Sequence, residues 1–129
     1  MIRVEIRIPD TLSELRDRVQ KTLDVIYEKL IEVTSANLYS ERELRRLRPY
    51  SRVRPLETSP LVHKRTGKLQ SAIKKEMVSD TYGRITLDTK KSPHINYVYH
   101  GTRRMIPRPF VDEALKRAEN EIRRIWEND

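Results

Sequence analysis

The sequence predicts an α+β fold: a small, mostly antiparallel sheet packed by a long N-terminal helix and a C-terminal helix. Three observations carry that expectation. Ile2, Val4, Ile6 and Ile8 alternate with Arg3, Glu5 and Arg7, the period of two of a strand with one buried face. Leu12, Leu15, Val19, Leu23, Ile26, Leu30 and Val33 then recur at steps of three and four, one apolar stripe on a long helix. After shorter elements, Phe110, Ala114, Leu115, Ala118, Ile122, Ile125 and Trp126 repeat that helical spacing near the end. Strand, helices, strands and helix in that order fit an α+β layer better than alternating parallel units.

Each element has its own local signals. Pro9-Asp10-Thr11 breaks the first strand, and Thr11 with Glu14 has the spacing of a capping box that opens the long helix. Residues 39–65 change character. Glu41 to Arg48 suits a short helix, and Pro49, Pro55 and Pro60 punctuate the arginine-rich remainder. Residues 39–65 read as a flexible basic insertion in a single 1–129 domain, either an arm ordered by a partner or a solvated loop. Thr66 is placed to cap a second helix carrying Leu69, Ala72, Ile73 and Met77. Residues 79–83 suit a turn, with a strand over 84–88 and a further strand through Ile95-Asn96-Tyr97-Val98-Tyr99, stopped by Gly101. Pro107 and Pro109 separate that strand from the last helix. There Asp112 and Glu113 near the start, and Arg123 and Arg124 near the end, complement the macrodipole. Asp112–Lys116, Glu113–Arg117 and Glu119–Arg123 are spaced as ion pairs.

Composition narrows the chemistry. The 129 residues suffice for one compact core. Hydrophobic and charged residues each make up 36%, which predicts a thin core and an extended shape or an assembly partner. The absence of cysteine removes disulfides, thiolate metal sites and cysteine nucleophiles. The start has no apolar run of a signal peptide, and no segment is apolar enough for a bilayer span, so the expected place of synthesis is the cytoplasm. Against 19 acidic residues stand 27 Lys and Arg, a net charge of +8 that favours polyanions or an acidic protein face.

Catalytic patterns are weak. Thr66-Gly67-Lys68 lacks the earlier glycine of a phosphate-binding loop, because Val62 stands there, and Leu69 replaces the magnesium-binding hydroxyl. His63, His94 and His100 share no helical spacing for zinc. Asp10 with Asp88 and Lys90 forms the only trace of a metal-dependent nuclease, a distant third reading. No catalytic residue, metal ligand or cofactor is expected.

Three segments in the second half carry a resemblance. Thr66-Gly67-Lys68-Leu69-Gln70-Ser71-Ala72-Ile73 comes first, then Tyr97-Val98-Tyr99-His100-Gly101-Thr102, then Arg103-Arg104-Met105-Ile106-Pro107-Arg108-Pro109-Phe110-Val111 followed by Glu113-Ala114-Leu115. In order and spacing they resemble the tail-completion, or head–tail joining, proteins of tailed bacteriophages and prophages, over roughly residues 60–120. Two departures stand out: the 39–65 segment lies where the family passes almost directly to Thr-Gly, and Tyr99-His100 replaces a common acidic residue. The resemblance implies a structural virion morphogenesis protein located in the phage tail or neck. It would be a ring homo-oligomer on assembly, contacting other tail or connector proteins, with no membrane. Thr66, Gly67, Leu69, Ile73, Tyr97, Gly101, Thr102, Pro107, Pro109 and Phe110 are then motif residues. Gly67 and Gly101 suit turns closed to other residues, Pro109 suits a first helical turn, and Phe110 suits an anchor for the last helix. Arg42, Arg45, Arg46, Arg48, Arg52 and Arg54, together with Arg103, Arg104 and Arg108, are the candidate contacts to a partner or to DNA. They also support the alternative of a basic nucleic-acid-binding module.

Overall fold

The computed structural model describes residues 12–53, 59–64, 67–79 and 81–127. The strand expected over 2–8, the Thr11 cap, Thr66 and Arg54 lie outside the described residues. The architecture is α+β, with five helices and one hairpin among the described residues. They are α1 (Leu12–Thr34), α2 (Glu41–Leu47), α3 (Lys68–Ser71), β1 (Ile73–Ser79), β2 (Tyr82–Leu87), α4 (Ile95–His100) and α5 (Phe110–Glu127).

Helices α1 and α5 pack antiparallel along most of their length. The Trp126 indole N–H donates to the Thr22 hydroxyl at 2.9 Å, Lys29 meets Glu121 at 3.5 Å, and Arg117 meets Glu32 at 2.9 Å. The apolar stripe of α1 turns inward at Leu23, Leu30 and Val33. Across from it α5 buries Phe110, Ala114 and Ala118, whose small alanines let the two helices approach. Leu115 and Trp126 stay partly exposed, so the buried face of α5 is narrower than its apolar residues imply.

Strands β1 and β2 form an antiparallel hairpin with Ile73 opposite Leu87 and Lys75 opposite Ile85. Its inner face lies on α1: Lys75 reaches Asp24 at 2.7 Å and sits 4.9 Å over the Tyr27 ring. One core unites these layers, with Leu30 and Val33 from α1, Ile73 from β1, Ile95 from α4, and Phe110 and Ala114 from α5.

Three expectations need correction. The helix expected through Met77 ends at Ser71, and Ile73–Ser79 is a strand. Ala72 and Ile73 are buried while Lys74, Lys75 and Glu76 are exposed, and pairing with β2 satisfies the backbone of this polar stretch. The strand expected at 95–99 is helix α4. Ile95, Val98 and Tyr99 pack on the core at helical steps of three and four, and short apolar runs fit both periods. The backbone closes there locally, with Val98 N–H on the His94 carbonyl at 2.9 Å and Gly101 N–H on Tyr97 at 2.8 Å.

The third correction concerns 39–65. The described parts of this segment are docked on the domain and do not stand away as an arm. Ser40 caps α2, its hydroxyl accepting the Glu43 N–H at 3.2 Å, and Leu44 is buried. Ala36 and His63 bridge in parallel, and the Val62 N–H donates to the Val33 carbonyl at 2.9 Å. Val62 belongs to the main core.

Candidate interaction surface

The candidate arginines divide into two kinds. Arg108 is fully buried and is no contact for an external partner. One of its terminal nitrogens donates to the carbonyls of Ser59 and Leu61 at 3.0 and 3.1 Å, and the other to Pro49 at 3.5 Å. Its guanidinium also lies 4.4 Å over the Tyr50 ring, while the Tyr50 hydroxyl accepts the His63 N–H at 3.1 Å. The planar fork suits carbonyls arriving from separate directions. This one side chain therefore fastens Pro49, Ser59 and Leu61 to the approach of α5.

Arg42, Arg45, Arg46, Arg48, Arg52, Arg103 and Arg104 are exposed. Arg42, Arg45 and Arg46 share a face of α2, and all three line one open depression together with Glu41. At the end of α2 the chain turns through Arg48, whose φ of 48° is left-handed. It then runs alongside the 102–106 loop. Ser51 and Met105 form an antiparallel bridge, the Arg52 N–H donates to Arg104 at 3.0 Å, and the Ile106 N–H donates to Tyr50 at 2.7 Å. The Arg52 side chain donates to the Thr102 carbonyl at 2.5 Å. Arg48 and Arg104, more than fifty positions apart in sequence, thus line one shallow groove of about 220 Å³ together with Leu44 and others.

The motif residues serve turns and packing. Gly67 and Gly101 take φ of 80° and 76°. Gly101 needs its missing side chain, because a Cβ there would lie 2.8 Å from both the Met105 carbonyl oxygen and the Pro107 nitrogen. Leu69 is half-buried against the core, Ile73 is buried, and Tyr97 is half exposed. The Thr102 hydroxyl accepts from the Arg104 and Met105 N–H groups at 3.2 and 3.1 Å, holding the loop between α4 and α5. Pro107 is exposed, and Pro109 directly precedes α5 with its carbonyl accepting the Glu113 N–H at 3.2 Å. Phe110 is fully buried and meets Tyr99 edge-on at 5.5 Å.

Titratable groups that carry shifts serve local structure. Asp88 accepts the Lys90 N–H at 2.9 Å and the Lys91 N–H at 3.4 Å, and those bonds, Lys90 first, hold its carboxyl below the usual range. In a nuclease reading this carboxylate would face a metal; here it closes a turn, and Asp10 lies outside the described residues. The Tyr99 hydroxyl donates to Asp112 at 3.0 Å, which raises its pKa, with desolvation adding to the effect. His63 Nδ1 accepts from the Leu38 and Tyr39 N–H groups at 2.9 and 3.2 Å. Among the described residues no group of three His, Asp or Glu side chains is placed to hold a metal ion, and no helix is long and apolar enough to cross a membrane.

The α2 cap has a plain sequence signal, since Ser40-x-x-Glu43 is the capping-box spacing. The burial of Arg108 has no comparable signal, because it depends on carbonyls distant in sequence. Comparison with protein-family profiles, curated proteins and solved structures finds no match for the chain.

Proposed function

We propose that this protein is a structural subunit of virion morphogenesis, of the tail-completion or head–tail joining kind, and that it works by association. The observation that carries the reading is where the three motif segments lie. Ile73 from the first, Tyr99 from the second, and Phe110 and Ala114 from the third belong to or pack against one core, and Gly101 supplies the bend that leads into α5. A motif whose residues go into a core and the turns around it suits a protein selected for shape. Its partners are further copies of itself in a ring and other tail or connector proteins. Tyr97 and, at the hairpin tip, Val78 and Tyr82 are large apolar side chains left exposed to meet them.

Deletion of the gene from the genetic element that carries it tests this directly. Electron microscopy of the lysate should show filled heads and separate tails, with joined particles restored when the intact chain is supplied in trans. Normal joined virions from the deletion strain, or absence of the chain from purified particles by mass spectrometry, would refute the proposal.

A further inference from the structure

We infer that α2 and the 102–105 loop together form one binding surface for the phosphate backbone of duplex nucleic acid. The inference does not depend on the assembly reading, and its readout is separate. It starts from Arg48 and Arg104, far apart in the chain, which line one groove at the end of the helix that carries Arg42, Arg45 and Arg46. Arg42, Arg45 and Arg46 project from one face of α2, while Arg48 and Arg104 flank the groove that the Ser51–Met105 bridge holds closed at its base, and Arg103 adjoins it. All of these arginines are exposed, and the carboxylates on α2 are Glu41 and Glu43 in its first turn. Glu41 lines the depression with three arginines, and Glu43 is turned toward the Ser40 hydroxyl at 3.2 Å, so the face keeps a net positive charge.

The chemistry favours phosphate. Among the described residues, every cation lining the two depressions is arginine, whose planar fork bonds phosphate oxygens in pairs and sheds water more readily than lysine. The surface is shallow and open, with Leu44 and Pro49 buried and Tyr50 and Met105 only half-buried along the groove, so no lining side chain stands out as the fully exposed apolar anchor of a protein hot spot. A shallow cationic ridge held by backbone bonds matches a partner recognised by regular charge. The 102–105 loop is pinned by the Thr102 hydroxyl and by Arg52, so the backbone that carries its two arginines is already held.

The test uses the full chain and a fluorescein-labelled duplex of about 30 base pairs, read by anisotropy across about 50 to about 200 mM salt. If about four phosphates are neutralised, the slope of log K against log salt is about −3.6, and affinity falls roughly 150-fold over that range. Two paired variants remove equal charge. Arg103→Gln/Arg104→Gln should weaken binding about tenfold and flatten the slope by about two, whereas Arg123→Gln/Arg124→Gln on α5 should change binding less than about twofold. Arg42→Gln/Arg45→Gln/Arg46→Gln should weaken it further, glutamine being a good helix former. Circular dichroism melts would establish that the variants remain folded. Equal loss from the α5 pair would reduce the effect to net charge and overturn the inference. So would a salt slope shallower than about −2, or poly-glutamate displacing the duplex at equal charge, which would assign the surface to an acidic protein.

Discussion

The carbonyls of Pro49, Ser59 and Leu61 converge on the guanidinium of Arg108, deep against the approach to α5. A buried charge is tolerated only when its donors are used, and removing it would leave the carbonyls facing nothing. Arg108→Met keeps the stem and the packing on Tyr50 but loses the donors, and should cost roughly 2–4 kcal/mol in urea denaturation with an unchanged slope. Arg108→Lys should rescue little, because a single ammonium cannot span carbonyls that approach from different sides. Wild-type stability in the lysine variant would mean that charge alone suffices there. Asp88 makes a pH prediction. Its folded pKa is depressed by the Lys90 and Lys91 N–H groups. Its contribution is therefore fully present above the unfolded aspartate value and is lost as pH falls through the lower folded value. A carboxyl-carbon NMR titration should place Asp88 below an ordinary aspartate, and Asp88→Asn should remove that acid-side component. Tyr99 has the opposite sign: its raised pKa keeps the bond to Asp112 until pH climbs past the tyrosine range.

Between α4 and α5, Gly101 combines φ 76° with ψ 174°, a region essentially closed to residues with a side chain. Gly101→Ala should therefore destabilise by about 1–3 kcal/mol from backbone strain, and more if the Met105 carbonyl cannot move away from the new Cβ. A melting temperature unchanged in that variant would contradict the geometry. On α2, Ser40→Ala removes the acceptor of the Glu43 N–H and should cost about 1 kcal/mol. These elements also show where sequence patterns hold and where they fail. The stripe of α1 and the alanine-and-phenylalanine face of α5 were legible because their period runs over several turns. The 84–88 strand was legible from Arg84-Ile85-Thr86-Leu87 beside a turn. Ile95 to Tyr99 was not, since two aromatic and two β-branched residues in a short run suit a strand by propensity, while burial of Ile95 and partial burial of Val98 and Tyr99 favour a helix. Ala72-Ile73 failed the other way: Leu69 and Ile73 are four apart, yet tertiary pairing with Leu87 overrides the helical spacing. At the candidate surface, sequence identified the exposed arginines but could not show that Arg48 and Arg104 share a groove. Nor could it show that Arg108 faces inward, because both depend on long-range backbone pairing.

At the scale of the whole molecule, the exposed ion pairs joining α1 to α5 contribute little. Apolar packing carries that interface, so moderate salt should leave the melting temperature almost unchanged. Residues 39–65 decide a larger question. Read from composition they are an insertion, and replacing residues 41–61 with a glycine–serine linker of equal length ought then to leave the domain intact. The packing predicts otherwise. The replacement removes buried Leu44, whose truncation class costs about 2–5 kcal/mol, and loses the packing that fixes the carbonyls at positions 49, 59 and 61 around Arg108. An uncompensated buried charge adds about 3–5 kcal/mol, so the combined loss is comparable with the roughly 5–15 kcal/mol that holds a typical domain folded. Val62, which completes the core beside Val33, would also lose the chain that delivers it there. The linker variant should therefore show collapsed amide dispersion in NMR spectra and no cooperative melt. A cooperative transition within a few degrees of the parent would instead make this segment a true appendage. The arginine groove would then be carried by a detachable element, whereas the packing makes it part of the domain's own architecture.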